Sequence, residues 1–234
     1  MSLAPAPGRL VLCGGNEFRR DCDPMDRALL EAAGGAQASL IILPTAATNE
    51  NPYVAGENGI RHFSRLGARV DKAMITDRAA ADNLELVVPV EQHNVVYLTG
   101  GDPIYLAETL RDSKLWDVVV AIHQRGGLIA GSSAGAMVLG EQLWRFDGWI
   151  PGLGLAPGLA VLPHHATLSA RWNALAMVAS LPPHVALVGI DEATALLLPE
   201  GCVIGIGLVT VYTPAGLQAY EPGAILPPFL PRLA

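Results

Sequence analysis

A glycine-rich turn around one serine is the part of this sequence best suited to chemistry. Residues 131–135 read Gly-Ser-Ser-Ala-Gly, follow the apolar run 127–130 and open a stretch of helix-forming residues. In that context the pattern G-x-S-x-G predicts a strand-to-helix turn that presents Ser133 at the edge of a sheet. Glycines are needed on both sides because so sharp a turn leaves no room for side chains. We therefore predict that Ser133 is a nucleophile, the alternative being a serine that only caps a helix.

A nucleophilic serine needs hydrogen-bond donors for the oxyanion that forms when it attacks a carbonyl group. The N–H of Ala134, at the positive end of the following helix, is one candidate. The loop 99–102, Thr-Gly-Gly-Asp, follows another apolar run, and Gly101 could bring a second N–H close to the reacting carbonyl. A phosphate-binding loop is excluded because the sequence has no Gly-x-x-x-x-Gly-Lys motif.

The serine also needs a base, and histidine has the suitable pKa. Among six histidines, His164 and His165 stand out because they follow the apolar run 159–162 and Pro163. That position places the pair at the sheet edge predicted for the serine. Adjacent residues leaving a strand point in opposite directions, so only one of the two should face Ser133.

An acid must orient the imidazole and stabilise its charged form. Glu192 lies in an acidic turn between two apolar runs, where a carboxylate calls for an explanation. Asp191 and Asp147 are alternatives for the same role. For all three, an ordinary solvated carboxylate in a turn is the competing interpretation.

The elements that would position these residues predict an α/β fold. Runs at 10–13, 39–43, 95–98 and 127–130 are apolar throughout, as in strands buried on both faces. Helices are predicted near 24–33, 52–66, 103–124 (broken near 112–113), 134–140 and 169–180. Beyond residue 186, short apolar runs at 188–190, 195–198, 202–204 and 209–212 predict antiparallel strands at one edge. We predict one domain over 1–234, with a doubly wound, mostly parallel sheet and helices on both faces.

Composition excludes several classes of protein. A net charge of −7 without any Lys/Arg cluster argues against nucleic-acid binding. Cys13, Cys22 and Cys202 have neither metal-ligand spacing nor the pattern of a disulfide framework, and no metal or cofactor is expected. Residues 1–5 lack the features of a signal peptide, and no apolar run approaches the roughly 20 residues that span a bilayer. The sequence therefore predicts a cytoplasmic protein that binds no membrane, with a homodimer left open.

Together these motifs resemble the S51 family of serine peptidases, which includes cyanophycinase and the α-aspartyl dipeptidase peptidase E. The matching segments are residues 10–15, 43–46, 99–102, 131–136, 152–155 running into 165, 189–192 and 194–195. The resemblance implies a fold like that of class I glutamine amidotransferases. It also implies Ser133 as nucleophile, His165 as its base and Glu192 as the orienting acid. The dipeptidase branch takes its acid from an aspartate shortly after the nucleophile, which makes Asp147 the alternative.

Two departures from the cyanophycinase pattern bear on the substrate. Pro103 stands where those enzymes carry a glutamine after Gly-Gly-Asp, and Arg171 is what remains of an arginine cluster after their histidine. The resemblance therefore implies a small peptide with an acidic residue, with Asp102 and Arg171 binding it; for Arg171, an ordinary arginine on a helix surface is the competing interpretation. The rival interpretations are an esterase-type serine hydrolase, whose acid precedes its histidine in the chain, and a non-catalytic binding protein of the same fold.

Overall fold

The computed structural model describes residues 8–171, 173–213 and 216–227. Its strands are β1 (Arg9–Cys13), β2 (Ser39–Leu43), β3 (Arg69–Lys72), β4 (Val95–Leu98), β5 (Leu128–Ser132), β6 (Gly140–Arg145), β7 (Gly148–Pro151), β8 (Ala156–Leu162), β9 (Ala186–Ile190), β10 (Thr194–Leu198), β11 (Cys202–Gly205), β12 (Val209–Thr213) and β13 (Gly216–Tyr220). Its α-helices are α1 (Asp23–Ala32), α2 (Pro52–Arg65), α3 (Arg78–Ala81), α4 (Leu84–Val87), α5 (Pro103–Leu110), α6 (Lys114–Gln124), α7 (Ala134–Leu139), α8 (His165–Leu168) and α9 (Ala174–Ala179). Short 3-10 helices lie at Arg20–Cys22, Gly35–Gln37, Thr45–Asn49, Val88–Gln92 and Ser169–Arg171. Residues 1–7, which carry the prediction about a signal peptide, lie outside the described part.

The first sheet has seven strands in the order β11-β10-β1-β5-β4-β2-β3. β1, β5, β4, β2 and β3 run parallel, whereas β10 pairs antiparallel with β1 and β11 with β10. The apolar runs predicted as buried parallel strands are β1, β2, β4 and β5. The predicted α/β class, with a parallel core and antiparallel additions, is confirmed.

A second sheet is the main difference from the single sheet that the sequence predicts. Its six strands follow the order β13-β12-β9-β8-β6-β7. The runs at 188–190 and 209–212 pair here, as β9 and β12, and not at the edge of the first sheet. An apolar run indicates that a strand is buried but not which strand it pairs with, because pairing is decided by contacts distant in sequence.

The first sheet is covered by helices on both faces. Leu10 and Leu12 of β1 belong to a buried cluster with residues of α5, α6 and α7, and this cluster continues into the second sheet. Val11 and Cys13 face the other way, into a cluster with residues of α1 and α2. In the described ranges, no helix has both the length and the apolar character needed to cross a membrane.

Three consecutive backbone carbonyls at the carboxyl end of β1 bind the segments that carry the predicted site residues. The three hydrogen bonds run from Ser133 N–H to Cys13 O (3.0 Å), from His164 N–H to Gly14 O (2.7 Å) and from Ala193 N–H to Gly15 O (3.2 Å). Ala193 directly follows Glu192. One short stretch of chain therefore sets the spacing of three segments that are far apart in sequence.

Gly15 has two reasons to be glycine. Its φ is 125°, a conformation that residues with a β-carbon rarely adopt. A β-carbon there would also lie 2.3 Å from Cε1 of His164, which is shorter than any van der Waals contact. The histidine ring therefore packs directly on the glycine backbone.

We expect Gly15→Ala to lower the free energy of unfolding by about 2–4 kcal/mol, since it adds backbone strain and forces the His164 ring away. Urea unfolding monitored by circular dichroism measures this. The matched control is Gly56→Ala in α2, where the three atoms nearest to the new β-carbon all belong to the flexible Lys72 side chain, the closest at 2.9 Å. That variant should stay within about 1 kcal/mol of the native protein, because alanine favours helix. Equal stabilities for the two variants would contradict the role assigned to Gly15.

Candidate active site

Ser133 stands in a strained turn between β5 and α7. Its φ and ψ are 49° and −109°, and its side chain makes no capping hydrogen bond to the helix that it precedes. A β-carbon on Gly131 would lie 2.4 Å from the backbone of Gly135, so the turn requires glycine there as the sequence predicts. Ser133 is half-buried. The alternative of a serine that only caps a helix is therefore not what the geometry favours.

His164 is the histidine that faces the serine. Its Nε2 lies 3.0 Å from Oγ of Ser133. The residue adopts a left-handed conformation, with φ 51° and ψ 38°, directly before α8. Its carbonyl accepts hydrogen bonds from the N–H groups of Thr167 and Leu168, at 3.2 and 2.8 Å. The chain thus turns at His164 itself, which directs the ring towards β5.

His165 points elsewhere, so the prediction that it contacts Ser133 is wrong. Its Nδ1 lies 3.3 Å from Oδ1 of Asp191 and its Nε2 lies 2.7 Å from the Tyr212 hydroxyl. The ring is buried and packs on Gly189, where a β-carbon would lie 2.2 Å from its Cδ2. The expectation that only one histidine of the pair faces the serine holds. Which one does so depends on the left-handed turn at His164, which interrupts the strand-like alternation of side chains.

Glu192 completes a line of three groups. Its Oε1 lies 3.4 Å from Nδ1 of His164, on the opposite side of the ring from Ser133. The same oxygen accepts a hydrogen bond from the Thr167 hydroxyl. Burial by itself would raise the pKa of Glu192, but hydrogen bonds from Thr167 and the backbone, together with His164, outweigh it and lower that pKa below its ordinary value. The carboxylate is therefore held in its charged form.

Asp147, the alternative acid, lies in the turn between β6 and β7. Its carboxylate is exposed and forms a bidentate ion pair with Arg145, at 2.7 and 3.1 Å. Hydrogen bonds from Arg145 lower the pKa of Asp147. The structure thus brings Asp147 to an arginine and Glu192 to a histidine.

The two predicted substrate-binding residues lie at helix ends. Asp102 caps α5, with Oδ1 accepting from the N–H groups of Ile104 and Tyr105 at 2.9 and 3.0 Å. Arg171 is exposed at the end of the 3-10 helix Ser169–Arg171, which directly follows α8. Over the ranges that the structure describes, no group of three or more His, Cys, Asp or Glu side chains is arranged to hold a metal ion.

The loop between β4 and α5 uses most of its N–H groups to hold its own shape. Thr99 N–H donates to Leu43 O at 3.2 Å, and Asp102 N–H donates to Ala46 O at 2.9 Å. Gly100 N–H donates to the Glu17 carboxylate at 2.7 Å. Gly101 N–H and, at the start of α7, Ala134 N–H make no hydrogen bond with a described residue outside their elements. These two donors, which the sequence predicts for an oxyanion, remain available.

Glu17 is a residue of the site that the sequence analysis missed. One oxygen accepts from Gly100 N–H, and the other accepts from the Ser132 hydroxyl at 2.8 Å. Glu17 thereby links the loop after β1 to the loop after β4 and to the serine turn. The nearest signal in the sequence is an acidic residue two places after Gly15, which is too weak to predict a contact across more than 80 residues.

This arrangement is suited to acyl transfer. A hydroxyl on a strained turn hydrogen-bonds to an imidazole, whose other nitrogen faces a charged carboxylate. The imidazole can accept the hydroxyl proton while the carboxylate stabilises the resulting positive charge. Two N–H groups near the serine are free to bind an oxyanion.

Comparisons with known proteins find related sequences and related solved structures. Curated relatives include a cyanophycinase from Nostoc sp. (strain PCC 7120), 29% identical over 89% of this chain and 74% of the relative. Another cyanophycinase, from Geminocystis herdmanii, is 28% identical over 86% of this chain and 79% of its own length. The crystal structure of a peptidase from an acI-B1 Actinobacterium superposes with a TM-score of 0.83 and 30% identity, covering 94% of this chain and 97% of that one.

A more distant structure shares the fold alone. It is a putative peptidase E protein from Listeria monocytogenes, with a TM-score of 0.62 and 16% identity over 92% of this chain and 99% of that one. The model of peptidase family S51 matches residues 10–205, which contain Ser133, His164 and Glu192. This chain belongs to peptidase family S51 and is a serine hydrolase.

Proposed function

We propose that this protein hydrolyses a peptide bond with a triad of Ser133, His164 and Glu192, through an acyl-enzyme. The observation that carries the proposal is the 3.0 Å separation between Ser133 Oγ and His164 Nε2. Glu192, 3.4 Å from the other ring nitrogen, supplies the orienting carboxylate. The chain order Ser, His, acid differs from that of esterase-type hydrolases, in which the acid precedes the histidine.

In the first step His164 Nε2 takes the proton from Ser133 as Oγ bonds to the carbonyl carbon of the substrate. The carbonyl oxygen becomes an oxyanion, which accepts hydrogen bonds from the N–H groups of Gly101 and Ala134. The C–N bond then breaks, and His164 returns its proton to the leaving amine. An ester between Ser133 and the acyl part of the peptide remains.

In the second step a water molecule replaces the amine. His164 takes a proton from this water, the hydroxide attacks the ester carbon, and the proton passes to Ser133 Oγ as the acid product leaves. Glu192 keeps Nδ1 protonated so that Nε2 is the basic nitrogen in both steps. Its lowered pKa is consistent with this role, because a protonated carboxyl group would not stabilise an imidazolium ion.

The roles proposed for Ser133 and His164 predict that alanine variants of the two adjacent histidines differ in kcat. Ser133→Ala and His164→Ala should each reduce kcat by about 10⁴-fold or more, since either change leaves no activated nucleophile. His165→Ala should remain about 100-fold more active than His164→Ala, because His165 acts through packing and not through proton transfer. Turnover of each folded variant, with thermal melting as the folding control, measures this.

Covalent labelling tests the nucleophile independently of any substrate. A fluorophosphonate probe should label native protein at Ser133, as located by peptide mapping, and should not label Ser133→Ala. Folded native protein that neither reacts with the probe nor cleaves any peptide would contradict the proposal and favour a binding protein of the same fold.

Turnover measurements also distinguish between the two candidate acids, Glu192 and Asp147. Glu192→Gln should reduce turnover at saturating substrate by up to about 10⁴-fold, because the amide no longer fixes the reactive tautomer of His164. Asp147→Asn is the matched control, and it should leave turnover close to native since, among the described residues, the side-chain partner of Asp147 is Arg145. If Asp147→Asn loses turnover while Glu192→Gln stays active, then Asp147 and not Glu192 is the acid of the triad.

For the substrate we propose a short peptide with an aspartyl residue, bound through Arg171. Arg171 lies on the exposed helix that directly follows α8, seven residues after His164, and a guanidinium binds a carboxylate bidentately. Arg171→Ala should therefore raise KM by about 10-fold for whichever of Asp-Leu and Leu-Asp the protein cleaves. The exposed Arg27, on α1, provides the matched control, because Arg27→Ala should change neither KM nor kcat. Equal kcat/KM in the native protein for that dipeptide and for its counterpart with Asn in place of Asp would contradict an acidic substrate.

A further inference from the structure

A cavity of about 510 Å³ opens beside the serine turn. Two of its walls come from the site itself. Gly101 carries one of the free N–H groups, and Met137 lies one helical turn after Ser133, to whose carbonyl its N–H donates at 3.0 Å. A substrate whose carbonyl reaches Gly101 therefore has this cavity next to it. The volume is within the usual range for small-molecule sites.

The walls of this cavity are mostly apolar. Ile104 of α5, Met137 of α7 and Trp144 of β6 supply much of the lining. Trp144 is held by an edge-to-face contact with Trp149, with ring centroids 5.0 Å apart and an interplanar angle of 70°. Two of these residues come from helices that pack on the first sheet and one comes from a strand of the second sheet, so the two layers meet at one apolar wall.

The charged groups around the cavity do not favour an anion. Arg145 is the cation among the lining residues, and Asp147 neutralises it through a bidentate pair. Asp102 and Glu50 are both acidic, and one Asp102 oxygen already caps α5. A carboxylate in this cavity would meet two negative groups and no unpaired cation among the described lining residues. An apolar side chain would instead contact the apolar walls of the cavity.

Phe146 lies at the rim of the cavity. It lies in the turn between β6 and β7 with a relative exposure of 102%, so its ring has no cover in the described structure. An exposed aromatic ring at the mouth of an apolar cavity gains apolar contact when a ligand fills the cavity. The neighbouring Arg145–Asp147 pair holds the same turn.

We propose that this cavity is the subsite for a large apolar side chain on the substrate residue next to the scissile bond. The inference rests on the proposed peptide hydrolysis at Ser133 and adds a second determinant to it. The aspartyl residue and the apolar residue occupy different places, one near Arg171 and the other between Ile104, Met137 and Trp144. The substrate class is then a short peptide that joins an acidic residue to a large apolar one.

The test compares kcat/KM for two matched pairs of dipeptides, Asp-Leu with Asp-Ala and Leu-Asp with Ala-Asp. In the native protein, the leucine member of the cleaved pair should be favoured by about 10-fold to 100-fold, because its side chain is buried in the transition state. The order of residues in the cleaved pair reports whether the subsite holds the acyl side or the amine side of the bond.

Two variants locate the preference in this cavity. Ile104→Trp fills it and should bring the leucine-to-alanine ratio down towards one, and Phe146→Ala removes the rim and should lower the ratio by a smaller factor. Leu217→Ala, which removes an exposed apolar side chain on β13, is the matched control and should keep the native ratio. A ratio is measured because it separates side-chain selection from a general loss of activity, and thermal melting shows whether each variant folds.

The outcomes distinguish this inference from the function on which it rests. Hydrolysis and labelling of Ser133 with equal kcat/KM for leucine and alanine peptides would overturn the subsite and leave the peptidase intact. A native ratio that survives Ile104→Trp would likewise overturn the assignment to this cavity. No hydrolysis of any peptide and no labelling would overturn both.

Discussion

The site depends on the carbonyl groups of residues 13, 14 and 15, which accept the N–H groups of Ser133, His164 and Ala193 in that order. Consecutive Cα atoms are about 3.8 Å apart, so a continuous stretch of backbone fixes the distances between the groups that it binds. The serine turn, the histidine turn and the acidic turn leave three different strands and could otherwise shift independently. Glycine at positions 14 and 15 allows this close approach, since a β-carbon on Gly14 would lie 2.1 Å from the carbonyl oxygen of Asp191.

Backbone strain is concentrated in the segments that this stretch binds and in the loop that directly follows it. Among the described residues other than glycine, those with positive φ are Asn16, Phe18, Asp112, Ser133, His164 and Ala193. Ser133 and His164 belong to the proposed triad, Ala193 follows Glu192, and Asn16 and Phe18 flank Glu17. Each such residue costs on the order of 1–3 kcal/mol and persists only where surrounding contacts hold it. For Ser133, His164 and Ala193, the hydrogen bonds to residues 13–15 supply such contacts.

The two adjacent histidines contact different carboxylates and have different partners. His164 faces Glu192 and His165 faces Asp191, so two adjacent histidines meet two adjacent carboxylates. His165 is buried, and its second nitrogen bonds to the Tyr212 hydroxyl, which leaves it no free nitrogen for a substrate. Asp191 also accepts the N–H of Leu208 at 2.8 Å. His165 and Asp191 therefore hold together the turn after β8 and the turn after β9. His164 and Glu192 instead keep one imidazole nitrogen directed at Ser133.

Patterns in the sequence are enough to predict the α/β class, the parallel core, the serine turn and the acidic turn that carries Glu192. These features follow from local rules, since buried strands are uniformly apolar and a sharp strand-to-helix turn requires glycine at fixed places. The contact of Ser133 with His164, and not with His165, follows from the folded chain, because it depends on a left-handed turn held by the carbonyl of Gly14. The second sheet, the contacts of Glu17 and the apolar cavity beside Gly101 likewise appear only when the chain folds. All of these join residues far apart in the chain, and periodicity and spacing describe only the neighbourhood of each residue.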